Sequence, residues 1–105
     1  MTVRRQGEAT FSIDRAILAA HTRNILAANP IYKNTRESAD GSFITSVKPN
    51  FFLASTPMTV SFENVGANTT VKVSTTSQPF IIGDRWGMYQ RYIQDFLQEL
   101  KRAIQ

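Results

Sequence analysis

Few residues of this chain could do chemistry. His21 is the single histidine among 105 residues, and so the one side chain whose ordinary titration falls near neutral pH. A metal centre wants further ligands at suitable spacing, and the sequence holds no second histidine and no cysteine. Asp14 stands two helical turns away, too distant to be assigned as a partner. His21 therefore reads as a partly buried structural histidine. The lack of cysteine also removes disulfides, thiolate nucleophiles and iron–sulfur ligation.

The carboxylates come close in sequence as Glu37 with Asp40 and as Asp95 with Glu99. The first pair flanks a turn. The second is one helical turn apart beside Arg91 and Arg102, a setting for surface ion pairing and not for acid–base work. Gly41, Gly66, Gly83 and Gly87 form no phosphate-cradling spacing, and no serine or threonine has a general base at hand other than His21. The expectation is a non-enzymatic protein with no cofactor and no metal.

What remains is recognition. Phe51-Phe52-Leu53 sets large apolar residues side by side in a connection bracketed by Pro49 and Pro57. They cannot all point inward from a strand, so one or more of them is free to line a groove. Further on, Trp86 and Tyr89 open an aromatic-rich helical pattern. Phe51, Phe52, Trp86 and Tyr89 are the candidate ligand-binding residues, in a groove between a C-terminal helix and a sheet. The expected occupant is an apolar small molecule or a protein segment.

The alternative is weak nucleic-acid binding. Twelve basic and eight acidic residues give a net charge of +4, but the basic residues are dispersed as on a solvated surface. The open sheet face would carry Thr10, Ser12, Thr59, Ser61, Glu63, Thr70, Lys72 and Ser74. It offers an aromatic stacking platform only if Tyr32 or Phe43 turns outward through a one-residue slip of register.

The elements that must position these residues follow from periodicity. Ala9, Phe11 and Ile13 alternate with polar residues and share one strand face. Asp14 is placed to cap a helix, with Ile13 and Leu18 as its hydrophobic staple. That helix must end by Asn29, because Pro30 disfavours helical geometry before it. Ile17, Leu18, Ile25 and Ala28 mark its expected apolar stripe, with His21 in the middle. Asp40-Gly41 marks a hairpin turn before the strand of Phe43, Thr45 and Val47. Met58, Val60 and Phe62 alternate up to the turn 64–68, and Thr69, Val71 and Val73 return from it.

Asp84 is placed to cap the last helix. There Trp86, Tyr89, Ile93, Phe96, Leu97, Leu100 and Ile104 recur at spacings of three and four. One-sided polarity of the strands calls for a single covering layer. The expected fold is α+β, a two-layer sandwich in the order β-α-β-β-β-β-α, with a mainly antiparallel sheet and both helices on one face. Length and 42% apolar residues fit one domain over residues 1–105, with residues 1–7 as a flexible N-terminus. No run of about eighteen apolar residues predicts a membrane span, and no leader is evident, so the expected location is cytoplasmic. Asn68-Thr69-Thr70 matches a glycosylation sequon and reads as a polar turn.

Thr70-Val71-Lys72-Val73-Ser74, then Gly83-Asp84-Arg85-Trp86-Gly87, then Tyr92-Ile93-Gln94-Asp95-Phe96-Leu97-Gln98-Glu99-Leu100 together resemble small uncharacterised bacterial domains of cyanobacterial type. Those end in an Asp-Trp-Gly-like turn before an apolar C-terminal helix; in this chain Arg85 falls inside the triplet. The resemblance implies a structural motif and no activity. The order of elements is also loosely similar to helix-grip lipid-binding folds, in a chain with little room for their full cavity.

Overall fold

The computed structural model of the protein describes residues 4–48, 55–76 and 88–104, without the side chains of Met88 and Tyr89. The elements run β1 (Arg4–Phe11), α1 (Arg15–Ala28), β2 (Tyr32–Glu37), β3 (Phe43–Val47), β4 (Thr56–Val65), β5 (Asn68–Thr76) and α2 (Met88–Ile104). This is the order expected from the sequence. The strands form one antiparallel sheet, ordered β1-β5-β4-β3-β2. β1 starts at Arg4, paired with Thr76, so residues 4–7, expected to be flexible, belong to the sheet. Their polar alternation hides the strand, which is held by backbone pairing to β5.

Register puts the alternating apolar residues on one face. Val60 stands between Phe43 and Val73, and Phe62 lies opposite Val71; all are buried. The β4–β5 turn needs only Gly66-Ala67 between the paired Val65 and Asn68. Gly66 has φ +62 and Ala67 does not share its positive φ. That combination fits a type II′ turn, whose twist matches that of the flanking strands. The β2–β3 turn is longer than a two-residue Asp-Gly hairpin. Ser38 N–H donates to Ser42 O at 2.7 Å and Gly41 N–H to Ser38 O at 3.0 Å, with Gly41 at φ +87. β2 also bulges between Lys33 and Arg36, where Asn34 takes φ 54.

Asp14 caps α1 as expected, its carboxylate accepting from Ala16 N–H at 3.0 Å, an interaction of about 1 kcal/mol. The buried line of α1 is Leu18, Thr22 and Leu26. It is not the expected stripe, since Ile17 is 51% exposed and Ala28 is exposed too. Apolar residues at 17, 18, 25 and 26 straddle two adjacent helical lines, and packing selects the second. α2 buries Tyr92, Ile93, Phe96, Leu97 and Leu100, each contributing on the order of 1.5–3 kcal/mol.

Glycine decides how closely α2 approaches β1. A Cβ on Gly7 would lie 2.6 Å from Ile93 Cγ2, so the helix packs into space that only glycine leaves open. Tyr32 meets Phe96 edge to face, with centroids 6.3 Å apart. No helix among the described residues is long and apolar enough to cross a membrane.

Candidate functional site

Phe51, Phe52 and Trp86 lie outside the described residues; Tyr89 lies in the first turn of α2 with its side chain outside the description. Val47, the last residue of β3, pairs with Thr56, the first of β4, and Thr75, near the end of β5, pairs with Met58. The segment holding Phe51 and Phe52 and the one holding Trp86 are therefore both tethered at the same end of the sheet.

The inner face at that end is not purely apolar. One row across β5, β4 and β3 reads Thr75, Met58, Thr45. Thr45 Oγ1 donates to Lys33 O at 3.1 Å, and the Thr35 and Thr45 hydroxyls are 2.8 Å apart, so Thr45 is satisfied. Thr75 on β5 and Thr22 on α1 are not. Both are 0% exposed, and neither hydroxyl has a hydrogen-bonding partner among the described residues. Each such orphan costs about 1–3 kcal/mol. Sequence reasoning singled out neither, although Thr75 has the same parity as Val71 and Val73.

A concavity of about 300 Å³ lies between α1 and α2. Ile25, Ala28 and Ala103 supply its apolar surface, and His21, Asn24, Asn29 and Glu99 its polar groups. His21 is half-buried and faces this groove, not the core. Glu99 takes no arginine. Among the described residues the ion pairs are Arg23–Glu37 and Lys72–Glu63, so the ion pairing expected of Asp95 and Glu99 with Arg91 and Arg102 does not form. Instead Asn29 Nδ2 donates to Glu99 Oε1 at 3.1 Å, while Asn29 Oδ1 accepts from Ile31 N–H at 3.2 Å. Burial pushes the Tyr32 phenol well above its ordinary range, and the negative charges of Glu99 and Asp95 push it further.

The outer sheet face carries a second depression, of about 560 Å³, over β1, β5 and β4. Gln6, Ser74 and Thr59 line it on one side and Glu8, Lys72 and Ser61 on the other. Lys72 is held by Glu63, which lowers the carboxyl titration of Glu63 and raises that of the lysine. Tyr32 is 6% and Phe43 2% exposed, both on the inner face. The register slip that would have made either a stacking platform does not occur, and the strands show no aromatic on the outer face among the described residues. No group of three His, Cys, Asp or Glu that could hold a metal is found among the described residues.

The fold has a counterpart among solved structures. The crystal structure of Ara h 8.0201 superimposes with a TM-score of 0.60 over 99% of this chain and 98% of that chain, at 12% sequence identity. Likeness at that identity is one of fold. No family model matches the chain, and no curated protein matches its sequence.

Proposed function

We propose that the domain is a non-enzymatic binding module that takes an apolar small molecule, or an apolar protein segment, between α2 and the inner sheet face at the end where Phe51, Phe52, Trp86 and Tyr89 are tethered. The observation that carries this reading is the two buried hydroxyls, Thr22 and Thr75, that have no hydrogen-bonding partner among the described residues. A ligand polar atom reaching either one offsets a cost that the free protein bears alone. The occupant on this reading is mostly apolar with an uncharged hydrogen-bonding group, because the buried polar residues among those described are all serine or threonine.

The test is fluorescence titration with anilinonaphthalene sulfonate and with decanol, with Trp86, the single tryptophan, as reporter. Phe52→Ser is expected to abolish the response while leaving the thermal transition nearly unchanged. A large fall in melting temperature would instead assign Phe52 to the core. Decanol binding is expected to be insensitive to salt. A single-stranded oligonucleotide that binds with steep salt dependence would transfer the reading to nucleic-acid recognition.

A further inference from the structure

We infer that the groove between α1 and α2 is a separate binding site for a small organic cation, a primary alkylammonium, with its charge on Glu99 and its alkyl chain on Ile25, Ala28 and Ala103. This inference does not rest on the interior site.

Four observations converge on it. First, Glu99 is half-buried and oriented: Asn29 fixes Oε1 through a 3.1 Å hydrogen bond and is itself fixed by Ile31 N–H. The second carboxylate oxygen has no protein partner among the described residues, although Arg102 stands only one turn further along α2. A positioned carboxylate with a free oxygen accepts a charge-assisted hydrogen bond without first being ordered.

Second, the groove lies at the C-terminal end of α1, the negative end of its dipole. The last turn of α1 carries no basic residue, so no cation of its own helix neutralises the final carbonyls. Those carbonyls and the Glu99 carboxylate are the negative groups of the groove, while Lys101 and Arg102 in the last turn of α2 do not line it. Burial first, and then the charges of Glu99 and Asp95, raise the titration of the nearby Tyr32 phenol.

Third, the remaining lining selects the ligand. Neither lysine nor arginine lines the groove, which disfavours an anion. Three carboxylate or imidazole ligands do not converge among the described residues, which disfavours a metal ion. Fourth, the apolar surface of Ile25, Ala28 and Ala103 suits a short hydrocarbon chain, and the size of about 300 Å³ admits one. His21 and Asn24, one turn apart along α1, border the same space and supply an imidazole nitrogen and an amide oxygen to the remaining ammonium protons.

The experiment is an amide-resolved NMR titration of the full chain at mildly alkaline pH with butylammonium chloride, against butanol and sodium chloride as controls. Saturable shifts confined to the region of Asn29, Glu99 and Ala103 are expected with butylammonium alone. Glu99→Gln retains an oxygen for Asn29 Nδ2 and is expected to weaken the site by about tenfold, the scale of one charge-assisted hydrogen bond. Asn24→Asp, at an exposed position, adds a carboxylate to the rim and is expected to tighten it, so the idea stays testable if Glu99→Gln folds poorly. Equal shifts with butanol, shifts reproduced by sodium chloride, or an affinity indifferent to both substitutions would overturn it.

Discussion

Replacing Thr75 by valine exchanges a hydroxyl for a methyl of nearly the same shape, at a position that is 0% exposed and where the hydroxyl has no partner. Valine suits a strand at least as well as threonine. The new methyl joins a row beside Met58, which is itself fully buried. Removing the orphaned hydroxyl is therefore expected to stabilise the free protein by about 1–3 kcal/mol. For a domain of this size that is a rise in melting temperature of about 4 °C or more. Urea unfolding checks it: the midpoint should move up with an unchanged slope, the sign of altered stability without altered compactness. The same variant should bind a ligand with a polar head less tightly, since the offset for that hydroxyl is gone. A stability that falls by about 1 kcal/mol or more would show that Thr75 Oγ1 is satisfied in solution, and the argument for a polar contact inside the domain would go with it.

Two further outcomes follow from the packing and the charges. Gly7→Ala drives a methyl to within 2.6 Å of the Ile93 side chain, which is 0% exposed and has no room to turn. It should cost about 1–3 kcal/mol, read by urea unfolding, and Ile93→Val in the same chain should recover part of it; a neutral Gly7→Ala would mean that α2 rides further from β1. The Asp40 carboxyl titrates below the ordinary range because the Ser42 hydroxyl and then the Ser42 amide donate to it. A carboxyl lowered in the folded state contributes stability that is present above its unfolded value and is lost as the pH falls through the folded one. Ser42→Ala should raise the Asp40 titration in carboxyl NMR, lower stability at neutral pH and flatten the part of the acid dependence of stability that Asp40 supplies; an unmoved Asp40 titration would remove Ser42 as the cause.

The two-layer architecture was legible in the sequence because its signals are local. Strict alternation at Met58-Val60-Phe62 and Val71-Val73 admits one sheet face, Asp14 and Pro30 bound α1 by capping and by steric exclusion, and spacings of three and four fix which side of α2 is buried. The strand at Arg4–Gly7 was not legible, because backbone pairing to β5 leaves no mark on side-chain polarity.

The direction read for α1 was half right: Leu18 is buried and Ile25 packs against the core, while Ile17 and Ala28 are exposed. Apolar residues occupy two neighbouring lines, and only the sheet beneath selects Leu18, Thr22 and Leu26 over Ile17 and Ala28. The functional surfaces depend on that choice. Rotating α1 to its observed face buries Thr22 without a partner and turns His21 outward to meet Glu99, a residue far away in sequence, across a groove that neither helix contains alone. Composition and periodicity decide what each segment hides. Which polar groups end up trapped inside, and which meet across two helices, is set by how rigid elements pack, since turning a helix by one residue, about 100°, leaves its own hydrogen bonds intact and changes every long-range neighbour.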